Sequence, residues 1–176
     1  MNYWMIITTP ENFRITRDRG FTIEGLRSQQ RRKVQRVEPG DRILYYISGT
    51  RVFAATAIVT SRYFEDHTPI WNSQGHNDTP YRVHIKPNFV LNEEQFIDAY
   101  QIGPRMEYVR RWVPEEWYLA LQGDLHLTPK KDFLLLEGEM RKIKARERRP
   151  HSRRPPRSVS QEPDQDSSTP TTAITS

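Results

Sequence analysis

The stretch from Val37 to Ser61 constrains this chain more than any other. It reads Val-Glu-Pro-Gly-Asp-Arg-Ile-Leu-Tyr-Tyr-Ile-Ser-Gly-Thr-Arg-Val-Phe-Ala-Ala-Thr-Ala-Ile-Val-Thr-Ser. Pro39 fixes φ for the second position of a turn, and Gly40 accepts positive φ at the third. Arg42 to Ile47 is apolar on both faces, as a strand covered on both sides must be. Ser48-Gly49-Thr50-Arg51 has hairpin composition. Val52 to Ser61 returns as a second strand, and Ala54, Ala55 and Ala57 leave room for close packing. The expected unit is a turn, a buried strand, a tight hairpin and a second buried strand.

Further elements extend this sheet. Tyr3-Trp4-Met5-Ile6-Ile7 is an apolar run closed by Thr8-Thr9-Pro10, which predicts a buried first strand. Pro10 to Gly20 is polar and reads as a loop with at most a helical turn. Phe21 to Arg36, with its basic Arg31-Arg32-Lys33, is ambiguous between helix and loop. Tyr81 to Val90 alternates as a strand. Asn92 predicts a helix start, with Glu93 and Glu94 at its positive end and Phe96, Ile97 and Tyr100 on one face. A second helical stretch covers about 104–112, and a third runs from Pro114 to near Gly123. Thr128-Pro129 opens a last helix with Phe133, Leu134, Leu136 and Met140 apolar.

Charge separates a folded part from a tail. The 176 residues carry a formal net charge of +5, but residues 139–157 hold nine Lys or Arg against two acids. Residues 158–176 hold three acids and no base, and residues 1–138 nearly balance. The basic character belongs mostly to the C-terminal extension and says little about the folded part. The division is expected as a domain over 1–145 and a tail over 146–176, basic and then rich in Ser, Thr and Pro. The tail lacks the apolar content to offset its ordering entropy, which predicts disorder.

Several classes of function are disfavoured. With no cysteine there is no disulfide framework, thiolate metal site or cysteine nucleophile. No apolar run approaches the roughly 18 residues of a membrane span. The first residues lack a basic n-region and a small-residue cleavage site, so a cytoplasmic location is expected. His67, His76, His84, His126 and His151 show no metal-ligand spacing. Asp66-His67 and His76-Asn77-Asp78 share a polar loop that suits no more than an adventitious ion. No nucleophile elbow or phosphate-binding glycine loop is present, so no catalytic residue, cofactor or metal is assigned.

Six pieces in one order carry a resemblance. They are Asn2-Tyr3-Trp4, Thr9-Pro10-Glu11-Asn12-Phe13, Pro39-Gly40-Asp41, Tyr45-Tyr46, Pro69-Ile70-Trp71 and Tyr81-Arg82-Val83. In this order the chain resembles the EVE domain of the PUA-like superfamily over roughly residues 2–140. The resemblance implies an α+β fold, a mixed, partly open β-barrel with flanking helices. EVE domains are similar to YTH domains, which close an aromatic cage on a flipped N6-methyladenine in RNA. By that likeness the chain is expected to be a non-catalytic module that holds a flipped, methylated or hydroxymethylated base of DNA or RNA. Partners in restriction, defence or RNA modification are implied in the same way.

The resemblance also nominates residues. Trp71 lines up with a cage tryptophan, and Asn12 with a polar residue that contacts the base edge. Phe21 or Thr22 falls near a second cage tryptophan that this chain lacks. Ile70 would add a wall, and Tyr46 is a minor candidate. Arg31, Arg32, Lys33 and Arg36 are candidate phosphate contacts. Each has a plainer role open to it: Trp71 as a core residue, Asn12 as a turn cap, and the basic segment as a solvated face. Two other functions stay open, a PUA-type RNA-binding module without modified-base selectivity and a nucleoside-binding enzyme.

Overall fold

The computed structural model of the chain describes residues 1–72, 78–149 and 173. Its centre is the expected hairpin, β3 (Arg42–Ile47) and β4 (Val52–Val59). The turn before it forms as the sequence demands. Asp41 N–H donates to the Glu38 carbonyl at 3.0 Å, and Gly40 sits at φ +92°. β1 (Tyr3–Thr8) lies parallel to β3 and pairs residue by residue from Tyr3 with Arg42 to Thr8 with Ile47. β6 (Tyr81–Val90) runs antiparallel to β4, as expected for that segment.

Three further strands lie where the sequence showed little. β2 (Ile23–Leu26) pairs antiparallel with β6, β5 (Phe64–Glu65) also pairs with β6, and β8 (Leu125–Leu127) pairs antiparallel with β1. The sheet order is β2-β6-β4-β3-β1-β8, so β2 and β8 are its two ends. The sheet curls into an open half-barrel, and the fold is the expected α+β, PUA-like one.

The apolar alternation explains why both faces are covered. Trp4 and Ile6 of β1, with Ile43, Tyr45 and Ile47 of β3, join Phe13, Phe21 and Val83 in one cluster. Tyr3 and Met5, with Leu44 and Tyr46, face the other way, toward Phe133, Leu136 and Met140. Those three belong to the long helix Lys130–Glu147, the predicted last helix, which covers the second face. The segment from Pro150 onward, with most of the expected tail, lies outside the described residues apart from Ala173.

Several stretches differ from expectation. The presumed loop after β1 is a helix, α1 (Pro10–Asp18). Thr9 caps it, its hydroxyl accepting from the Asn12 N–H at 3.2 Å, and Pro10 occupies the first turn, where its missing N–H costs nothing. The helix expected from Asn92 is split into a capped 3-10 turn, Glu93–Gln95, and a separate single helical turn, Ala99–Ile102. Phe96 then turns extended because β7 (Ile97–Asp98) pairs with Val52 and Phe53 of β4. That pairing overrides local helix preference. The ambiguous basic segment forms a short helix, α2 (Arg31–Val34). The stretch 104–112 contains a 3-10 turn, Gly103–Arg105, rather than a helix. After Pro114 come another such turn and then α3, a single turn of helix over Trp117–Ala120.

Candidate nucleic-acid interface

The half-barrel leaves a seam between β2 and β8, and a cleft lies in it. Its volume is about 520 Å³, inside the range of roughly 300–1,000 Å³ typical of ligand sites. Residues from the end of β1, from β2, from the β3–β4 hairpin and from Leu121 to Asp124 line it. Instead of backbone pairing, side chains bridge the seam. Arg27, just after β2, meets Asp124, just before β8, at 3.1 Å. Lys33 Nζ donates to the Leu125 carbonyl at 2.7 Å.

Trp71 lines this cleft and is 8% exposed. Three contacts hold its ring, and a clamp holds the residue after it. The indole N–H donates to Thr16 Oγ1 at 2.8 Å. The Arg82 guanidinium lies 5.4 Å from the ring centroid, a cation–π distance. Arg82 is itself buried, hydrogen-bonded to the Thr68 and Thr79 carbonyls and ion-paired with Asp66, so it ties down the loop that delivers Trp71. Asn72 is clamped from the other side: Asn12 donates to its carbonyl and accepts from its N–H, both at 3.0 Å. Finally, the ring lies against Gly25. A Cβ there would stand 2.4 Å from Trp71 Cζ3 and 2.6 Å from Cε3.

This last contact yields a prediction. Gly25→Ala is expected to displace the indole and remodel the cleft while the protein stays folded, at a stability cost of roughly 1–3 kcal/mol. A changed near-ultraviolet circular dichroism spectrum and a lowered denaturation midpoint are the expected readings. An unaltered spectrum would show that the ring tolerates the methyl group.

The cleft floor carries an acid that sequence reasoning missed. Glu24 of β2 is 6% exposed. Its carboxyl accepts from Tyr45 Oη at 2.7 Å, from the Gly25 N–H at 3.0 Å and, at 3.5 Å, from Thr16 Oγ1. Burial pushes its pKa up to about 7, against the opposing pull of those hydrogen bonds. Burial and the neighbouring Glu24 also push the Tyr45 hydroxyl upward, so it remains a donor. Trp71, Thr16, Glu24 and Tyr45 thus form one hydrogen-bonded chain from the cleft wall into the core.

The nominated residues divide. Asn12, Tyr46 and Trp71 all line the cleft. Asn12 spends its amide on the Asn72 backbone and acts first as a loop clamp. Phe21 is a core residue, edge-on to Phe13 at 5.7 Å and to Tyr45 at 5.5 Å, and does not line the cleft. Thr22 is exposed, with its hydroxyl tied to the Arg19 carbonyl at 2.9 Å. Ile70 is half-buried beside the cleft rather than in its wall. Of the basic residues, Lys33 braces the seam, while Arg31, Arg32 and Arg36 are exposed. Sequence reasoning also missed Arg27, Arg51 and Tyr118 at the cleft. Only tertiary structure brings those three together.

Two of the described histidines have structural partners. His84 stacks on Phe64 at 4.9 Å, and His126 bridges Tyr108 Oη and the Gln122 carbonyl. No described helix is long and apolar enough to cross a membrane.

A curled half-barrel of this topology is a PUA-like domain. The structure is similar to the crystal structure of the Mmi1 YTH domain, at TM-score 0.62 and 11% identity over 83% of this chain and 99% of that one. It is similar also to the Mmi1 YTH domain in complex with RNA, at TM-score 0.58 and 11% identity over 83% and 82%. At such identity these likenesses concern the fold alone. The family follows from the sequence: the EVE domain model matches residues 2–109, and the chain belongs to the EVE domain family. A UPF0310 protein of Pyrococcus abyssi is 24% identical over 147 residues, 78% of this chain and 98% of that protein. A UPF0310 protein of Pyrococcus horikoshii is 25% identical over 156 residues, 78% and 97% of the two chains.

Proposed function

We propose that this domain is a non-catalytic nucleic-acid-binding module that receives one extruded base, methylated or hydroxymethylated, in the seam cleft. The observation that carries the reading is Trp71, an aromatic wall held by three ring contacts beside a polar floor. Extruding a base costs a few kcal/mol, least in single strands. Stacking on an aromatic returns ~1–3 kcal/mol, and a ring that is already immobile loses no further freedom on binding. A methyl group shielded from water adds about 0.8 kcal/mol, so selectivity for a modified base rests on polar mismatch with the others. The RNA complex of the Mmi1 YTH domain, a protein of the same fold, supports RNA as a partner class.

Titration of fluorescent oligonucleotides carrying N6-methyladenine, 5-methylcytosine or 5-hydroxymethylcytosine, each beside its unmodified form, tests this reading. Trp71→Ala is expected to weaken the best ligand by tenfold or more, within the range of lost stacking. Unchanged affinity for every oligonucleotide would refute the reading.

The exposed Arg31, Arg32 and Arg36 favour a second reading, a general RNA-binding module held mainly by phosphate contacts. In that case Arg31→Ala with Arg32→Ala would lower affinity uniformly across sequences, and Trp71→Ala would be silent.

A further inference from the structure

Tyr118 is an exposed aromatic with a rigid mounting. It lies on α3, is 47% exposed and lines the seam cleft. The residue before it, Trp117, is buried and anchored. Its indole N–H donates to the Trp112 carbonyl at 3.1 Å. Its ring stacks on Tyr100 at 5.7 Å and 21°. It also fills the space where a Cβ at Gly103 would stand, 2.2 Å from Cζ3. The anchored turn fixes the backbone beneath Tyr118, and a tyrosine then has only two side-chain torsions to fix when a ligand covers it.

A cation stands in the wall of the same cleft. Arg51, in the β3–β4 hairpin, donates to Tyr100 Oη at 2.7 Å and lies 5.4 Å over that ring. Among the described residues no carboxylate lies within ion-pair distance of it, whereas Arg27 is neutralised by Asp124. The cleft therefore offers an exposed ring and an uncompensated guanidinium in addition to Trp71 and the polar floor. This pair suits a second nucleotide, with a flat base for the ring and a phosphate for the cation.

We propose that the nucleotide adjoining the extruded base has its own subsite, with Tyr118 as its stacking face and Arg51 as its phosphate contact. The inference rests on the base-binding reading of the cleft. The occupant is single-stranded, because a base can lie flat on Tyr118 only when it is free of its pairing partner. Tyr118 then contributes to binding of a strand rather than to choice of the extruded base.

The test compares nucleosides with single-stranded pentanucleotides carrying the same base at the centre. The panel is adenine, cytosine and their N6-methyl, 5-methyl and 5-hydroxymethyl forms, titrated against the full chain. Tyr118→Ala is expected to remove five- to a hundredfold of the affinity gained from nucleoside to pentanucleotide, and Tyr118→Phe to restore it. Arg51→Gln is expected to reduce the slope of log affinity against log salt by about 0.7, one single-strand phosphate contact. A gain that survives Tyr118→Ala, or an equal loss for nucleoside and pentanucleotide, overturns the subsite. Trp71→Ala, run alongside, separates the two ideas. If it weakens binding while Tyr118→Ala does not, only the subsite falls; if it is silent, the reading of the cleft falls and the subsite with it.

Discussion

Asp41→Ala is expected to destabilise the fold by about 3–5 kcal/mol, measured by chemical denaturation. Asp41 is buried and accepts three strong hydrogen bonds. They come from the Asn2 N–H at 2.7 Å, the Trp4 indole N–H at 2.9 Å and the Glu38 N–H at 3.1 Å. Alanine leaves all three donors unpaired at the point where β1 and β3 begin side by side. Hydrogen bonds to a charged acceptor contribute roughly 1.5–3 kcal/mol each, and orphaned buried donors add a desolvation cost. Asp41→Asn keeps one acceptor oxygen but turns an N–H group toward other donors, so an intermediate loss is expected. A loss below about 1 kcal/mol for alanine would show that water replaces the carboxylate at this turn.

The second large effect is a pH dependence centred on Glu24. Its folded-state pKa is raised from 4.5 to about 7. The folded protein therefore holds a proton that the unfolded chain releases between those values. Stability from this group is fully present below pH 4.5 and is lost as pH rises through 7. The full effect is about 3 kcal/mol at about 1.4 kcal/mol per pKa unit. Denaturant melts at pH 5 and pH 8.5 should show wild type losing up to that amount relative to Glu24→Gln, whose amide cannot ionise. Groups that titrate in both proteins cancel in the difference. Parallel profiles would show that Glu24 titrates normally.

The turn at Asp41 illustrates which parts of the chain were legible in advance. Pro39-Gly40-Asp41 announced a turn because the φ demands of its residues are local. β1, β3, β4 and β6 were readable because each is a long apolar or alternating run. β2 was not, since Ile23-Glu24-Gly25-Leu26 holds only two large apolar residues. Its acid and its glycine make sense only against Tyr45 and Trp71. α1 was hidden because it buries only Phe13 and Thr16, although Thr9-Pro10-Glu11 was a start signal. In the candidate site, Trp71 could be nominated from the pieces around it. The clamp between Asn12 and Asn72 joins residues sixty apart and left no local trace. Phe21 was nominated by the resemblance alone, and its place is the core between Phe13 and Tyr45.

The sheet order has a consequence for synthesis on the ribosome. One wall of the cleft comes from Ile6 to Thr9 at the start of the chain, and another from Leu121 to Asp124. Among the described residues β8, which follows that second wall, is the strand that pairs with the edge of β1 opposite β3. A nascent chain that has emerged through β6 can assemble the central strands, yet it has no cleft. Contacts so distant in sequence form late and slowly. The growing protein therefore lacks the complete cleft until β8 leaves the exit tunnel and docks on β1.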